Sequence, residues 1–343
     1  MSRILKHLLL MFTAVALVAC GLVDEDMRDC ETDYTLNYEL RLVTNMTTEL
    51  QTQLSMAADV TVSNAIKTYL SDIFTDFAHD VDLDFYDVEE DSTLLHKETH
   101  IMNANQSSYT LYIPVRRYMH LALANIGNNE LLSFENTERA HTARIVQQVR
   151  DTIPSHKSGF FTARLPMDIK EGEDQQFDVR LYMANCATAL VVDTLGSGIQ
   201  DIKVFMSGFA TSFDVCDSLY HFDYTPIVKA DRLTLDAPGN ICYASVNFPS
   251  REATPTKTII DVDDPFISES ADHSLWQIRV YATMKDGSIT ETLLGASKQL
   301  NPGQFTLIKA RAYTNGSVKP GDPSFGVSVT TDWEPATSHE VVL

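Results

Sequence analysis

The sequence is short of positive charge, of tryptophan and of long apolar runs, and each shortage removes a class of function. Lysine and arginine number 26 against 47 acidic residues, for a net charge of −21. A surface that negative repels phosphate backbones and anionic headgroups, so no nucleic-acid partner is expected. Only two tryptophans occur, Trp276 and Trp333, both inside strand-like patterns, which argues against the aromatic platforms of a glycan-binding face. After the first twenty residues no apolar stretch reaches bilayer-spanning length. Catalytic signatures are missing as well: there is no His-Glu-x-x-His, no Gly-x-Ser-x-Gly and no phosphate loop, and Gly196-Ser197-Gly198 sits where a hairpin turn is expected. The reading is therefore of a non-enzyme without a cofactor. No two cysteines stand two to four residues apart, so no compact zinc motif is present. The ten histidines are dispersed, and His79, His120 and His221 lie in or beside strands, where structural roles are expected. Acidic runs at 80–87 and at Asp261-Val262-Asp263-Asp264 do not match a calcium loop; alternating acids on a strand are expected to face solvent, and no metal is assigned.

What is present begins with an address. Arg3 and Lys6 precede an apolar run over 8–18 that ends in Leu17-Val18-Ala19-Cys20. The run is too short to span a bilayer comfortably, and small residues precede the cysteine, the pattern of a lipoprotein signal peptide over 1–19. Cleavage before Cys20 and acylation of that residue are expected, which would attach the chain to a membrane outside the cytoplasm. The signal holds two basic and no acidic residues, so the mature chain carries −23 and must rely on its acyl chains for membrane attachment. Asp24-Glu25-Asp26 follows within an acidic linker over 20–29 and resembles the surface-export signal of Bacteroidales-type lipoproteins. Once Cys20 is acylated, Cys30, Cys186, Cys216 and Cys242 remain, an even set that permits two disulfides in three connectivities.

The remainder, about 320 residues, reads mainly as short strands. Positions 34, 36, 38, 40 and 42 are apolar or aromatic and alternate with polar ones, as do 81, 83 and 85. Between them Val62, Ile66, Tyr69, Leu70, Ile73 and Phe77 recur at three and four, the stripe of a helix packed on a sheet. Further strands are predicted at 109–113, 118–125 and 160–169, and a second helix over 138–150. The polar run 170–176 suggests a domain boundary, giving an N-terminal β-domain over 30–172 and a C-terminal one over 173–343, each packed separately. In the second, strands are predicted at 177–183, 189–193, 202–206, 241–248, 276–284, 304–313 and 326–333, with a hairpin turn at Lys285-Asp286-Gly287-Ser288. Strands at this spacing suggest a Greek-key β-sandwich. Past Trp333-Glu334-Pro335 the chain ends in Val341, Val342 and Leu343, apolar where a terminus is normally polar.

Taken in order, Cys20 with its acidic linker, Asp29-Cys30 and an alternating strand, Leu83-Asp84-Phe85-Tyr86-Asp87 after a helix, Leu300-Asn301-Pro302-Gly303-Gln304-Phe305, and Val327-Ser328-Val329-Thr330-Thr331-Asp332-Trp333 together resemble the FimB-like fimbrial anchor family of Bacteroidales-type fimbriae. The resemblance implies two transthyretin-like β-sandwich domains in series, an outer-membrane lipid anchor, fimbrial subunits as protein partners, and a role in attaching a pilus and limiting its length. It also implies strand exchange: stalk subunits of that family lose an N-terminal strand to proteolysis, whereas an anchor retains its own, here the strand over 34–42. Arg28, just upstream, is a potential processing site. A surface glycan-binding lipoprotein of a polysaccharide-uptake system is the alternative reading.

Overall fold

The computed structural model describes residues 33–43, 60–74, 80–101, 108–127, 129–171, 175–235, 239–251 and 274–330. As the alternation predicts, they are mainly β, arranged in four sheets. The first has seven strands in the spatial order β3 (Thr93–His100), β2 (Val81–Asp87), β5 (Arg117–Ala124), β9 (Phe161–Asp168), β10 (Gln176–Met183), β1 (Asp33–Val43) and β4 (Ser108–Pro114). The second has five: β16 (Asp231–Leu233), β17 (Asn240–Asn247), β11 (Cys186–Asp193), β20 (Phe305–Ala312) and β21 (Val318–Pro320). The third has six: β22 (Phe325–Thr330), β19 (Ile289–Ala296), β18 (Trp276–Met284), β12 (Ile199–Ser207), β15 (Ile227–Lys229) and β8 (Thr152–Pro154). A small fourth sheet orders β14 (Leu219–His221), β13 (Ser212–Asp214), β7 (Arg144–Gln147) and β6 (Leu132–Glu135).

The five-stranded sheet is buried on both faces. Along β11, Ala187 and Ala189 enter one core while Leu190 and Val192 enter another. The first core lies between this sheet and the seven-stranded one and is filled by the stripe of helix α1 (Val60–Phe74): Val62, Ile66, Leu70 and Ile73 are all buried. Burial of each such side chain contributes about 1.5–3 kcal/mol. Tyr69, half-buried on the same helix, donates its hydroxyl to Asp231 Oδ2 at 2.7 Å, which fixes α1 against β16. The second core closes the five-stranded sheet on the six-stranded one around Trp276, which is 1% exposed and donates its indole N–H to the Lys298 carbonyl. Trp276 is therefore a core residue; Trp333 lies outside the described residues.

A third core covers the other face of β2 and β5, where Tyr86, Leu121 and Leu123 meet Ile145 and Phe213 of the four-stranded sheet. This layer corrects two expectations. The helix predicted over 138–150 is a single 3-10 turn, Ala140–Thr142, followed by β7. Ile145 and Gln147 are buried and their neighbours half-buried, the period of a strand, because β6 and β13 flank it and satisfy its backbone. The acids of 80–87 do not all face water either: Asp84 is fully buried because the four-stranded sheet covers its face, and Asp87, opposite Tyr118 on the other face, is buried beside the first core. Each has a cation, with Lys97 Nζ 3.3 Å from Asp84 and Arg116 bonded to Asp87. Burial raises the Asp84 carboxyl above the usual range even with Lys97 beside it.

The turns follow local chemistry. The predicted hairpin joins β18 to β19, with Gly287 at φ +88°, a conformation that disfavours any side chain, and Asp286 accepting from the Ser288 N–H. Gly196 and Gly198, at φ +75° and +76°, make the β11–β12 turn.

Hydrogen bonding does not follow the division expected at 172/173. β10 pairs with β9 and β1 in the first sheet, so the strands on either side of the polar run 170–176 belong to one sheet. β8 crosses to pair with β15 in the third sheet, and β13 and β14 cross back to complete the fourth with β6 and β7. Elements are thus exchanged in both directions. Fragments 30–172 and 175–343, produced separately, are expected to lack cooperative thermal transitions followed by circular dichroism, whereas the whole chain melts in one; two sharp, independent fragment transitions would show that the crossing strands are dispensable.

Candidate assembly site

The first described strand occupies an interior position in the seven-stranded sheet. β1 runs parallel to β10 and antiparallel to β4, and its register sets Tyr34, Leu36 and Tyr38 opposite Ile113, Leu111 and Tyr109, and Leu40 and Leu42 opposite Val179 and Leu181. Those five partners are buried in the first core. The alternation read over 34–42 thus falls in step with the buried rows of both neighbours, and a one-residue slip would bring its polar positions into line with them.

Attachment of the two neighbours is uneven. β10 meets β9 at only two residue pairs, Tyr182 with Thr162 and Met183 with Phe161, but meets β1 at seven, from Asn37 with Gln176 to Val43 with Tyr182. Among the described strands, β4 has β1 as its one neighbour in the sheet. Without β1, both strands would present unpaired N–H and C=O groups along most of their length. Among the described residues the slot is also covered from one side only. Thr110 and Tyr112 of β4 and Arg180 and Tyr182 of β10 are exposed, with Tyr112 at 59% and Tyr182 at 55%, whereas β2 and β5 are buried on both faces. Tyr109 anchors the inner row by donating its hydroxyl to the Ile101 carbonyl at 3.1 Å, and burial raises its pKa.

Beside β10 lies a groove of about 410 Å³ lined by Arg164, Arg180, Tyr182, Phe213, Tyr220 and Pro302. Sequence reading missed it because its walls come from four separated segments. The other predicted residues are dispersed. Cys20, the export triplet Asp24, Glu25 and Asp26, Arg28, Cys30, His79, Asp261 to Asp264 and the apolar C-terminus all fall outside the described residues. Cys186, Cys216 and Cys242 are free thiols. Cys186 stands opposite Asn247 and Cys242 opposite Val191, five residues apart along the β11–β17 ladder, or about 16 Å, which is beyond disulfide reach. Burial pushes the Cys242 thiol up to about 12 and the Cys186 thiol higher. His120 is buried, stacked 4.2 Å from Phe85, with Nδ1–H donated to the Asp84 carbonyl, and desolvation lowers its pKa to about 4. His221 joins Arg144 on Asp214, at 2.5 and 2.6 Å, in an ion cluster within the four-stranded sheet. Both histidines are structural.

No protein-family model and no curated protein matches the chain. Solved structures do. A candidate adhesin from Bacteroides ovatus superimposes with a TM-score of 0.51 at 7% identity, covering 86% of this chain and 96% of that one. A fimbrial assembly protein from Parabacteroides distasonis gives 0.41 at 11% identity over 88% of this chain and 99% of its own. The tip fimbrial protein Mfa3 from Porphyromonas gingivalis, with a C-terminal truncation, gives 0.41 at 8% over the same shares. At 7% identity, the likeness to the first of these is one of fold.

The slot yields a direct test. Leu111→Ala removes a fully buried side chain facing the β1 register and is expected to cost about 2–5 kcal/mol in chemical denaturation. Thr110→Ala, on the exposed side of the same strand, should stay within about 0.5 kcal/mol. Equal effects would mean that β4 is not packed as described.

Proposed function

We propose that this chain is a lipid-anchored cell-surface subunit of a fimbrium, which attaches the fibre to the outer membrane and limits its length by keeping its own N-terminal strand. The observation that carries the reading is the position of β1, inside a sheet, parallel to β10 and holding β4. In strand-exchange polymers an extended segment fills a gap left in the next subunit: backbone hydrogen bonds give strength and alternating side chains give register. A subunit whose gap is filled by its own strand cannot accept another at that site. If that strand is tethered through the linker to an acylated Cys20, growth stops at the membrane. The one-sided cover of the slot suits the role, because exchange there disturbs one core instead of two.

The acidic surface and the fold shared with a candidate adhesin support a place on the cell surface. They do not distinguish base from tip, and the tethered strand is what favours the base. The export triplet Asp24-Glu25-Asp26 would then carry the lipoprotein to the outer leaflet.

Deletion of the gene is expected to leave fimbriae that are longer, poorly attached and shed, seen by electron microscopy and as fimbrial antigen in the medium. Complementation should fail with Cys20→Ala, which loses palmitate labelling, and with Tyr38→Pro, which removes a ladder donor paired between Tyr109 and Phe177. Unchanged length and attachment in the deletion strain would reject the anchor role and favour the glycan-binding alternative, for which polysaccharide arrays are the test.

A further inference from the structure

Outside the slot, one group of side chains joins three different metal-binding functions at one point. His141 lies in the 3-10 turn between β6 and β7, and Cys216 and Asp217 lie in the turn between β13 and β14. His141 Nδ1 is 3.3 Å from Asp217 Oδ1 and 3.6 Å from Cys216 Sγ, and all three ligand atoms lie within 4.8 Å of one another. Among the described residues it is the one such group. A tetrahedral zinc ion, with bonds of about 2.3 Å to sulfur and about 2.0–2.1 Å to nitrogen and oxygen, holds its ligand atoms about 3.3–3.6 Å apart. The two hydrogen-bond-length contacts to His141 therefore already have the edge lengths of such a tetrahedron. We propose that His141, Cys216 and Asp217 form a zinc site with a fourth position open to water.

The chemistry of the donors selects the metal. Thiolate with imidazole favours zinc over calcium or magnesium, which take oxygen ligands. Binding breaks the Cys216 S–H bond and forms S–Zn, with the proton released to water, and a thiolate and a carboxylate together neutralise the dication. Burial and the adjacent Asp217 charge hold the free thiol protonated, whereas Arg164, bonded to the Cys216 carbonyl, pulls the other way. A dication beside the sulfur would outweigh both. Access is open, since the His141 and Asp217 side chains are 62% and 49% exposed. The site would tie together two turns 75 residues apart, at the edge of the small sheet that joins the halves of the chain.

The test uses the full-length chain in detergent, stripped with chelator and titrated with Co²⁺, then competed with Zn²⁺. One equivalent of Co²⁺ should produce sulfur-to-cobalt charge transfer and tetrahedral d–d bands, which Zn²⁺ abolishes. His141→Ala and Asp217→Asn, both at exposed positions, should each weaken binding at least about tenfold. Cys216→Ser should lose the charge-transfer band. Zinc should raise the Tm of the wild type but not of His141→Ala. No thiolate band in the wild type, or equal affinity in His141→Ala and Asp217→Asn, would overturn the site and leave an ordinary His–Asp hydrogen bond beside a thiol. Because the His141 side chain is itself exposed, a Cys216→Ser variant that fails to fold leaves the test intact.

Discussion

Backbone groups inside a sheet must be paired, and in the seven-stranded sheet β1 meets that demand for two strands at once. β10 is fastened to β9 at two positions and to β1 at seven, and among the described strands β4 has β1 as its one sheet neighbour. The inner rows of β4 and β10, with Leu111, Ile113, Val179 and Leu181, belong to the same core as the stripe of α1. Loss of β1 would therefore unpair two strands and open that core from one side. A fold built this way keeps its first strand or replaces it with another of the same alternation, and those two choices separate a capping subunit from a polymerising one.

The same core links this end of the molecule to the rest. Because the five-stranded sheet buries one face against α1 and the other against Trp276, the two halves do not have separate interiors. β8, β10 and β13 each pair with strands from the other side of the expected boundary. Under the proposed role, force applied between a membrane and a fibre would meet hydrogen bonds in several sheets.

Much of the fold was legible. Strands with one wet face alternate visibly, and β4, β10 and β19 are of this kind; the stripe of α1 is equally plain because one helix face is buried and the other is not. The failures share a cause. β2 is buried on both faces by a layer whose strands, β6, β7, β13 and β14, have only three or four residues each, too few for periodicity to register. Hence the sequence pattern sets Asp84 in water and makes 138–150 a helix. The polar run 170–176 reads as a linker because a connection between strands of one sheet and a domain linker share composition. The candidate zinc ligands were invisible because His141 and Cys216 meet only in space.

The central claim is that β1 stays in its slot and stays tied to the membrane. Mass spectrometry of the protein recovered from outer membranes and from sheared fimbriae reads this directly. The account predicts a chain that begins at an acylated Cys20 and continues unbroken through Arg28 into the 33–43 segment. A recovered chain that begins after Arg28, or that lacks 33–43, would contradict it.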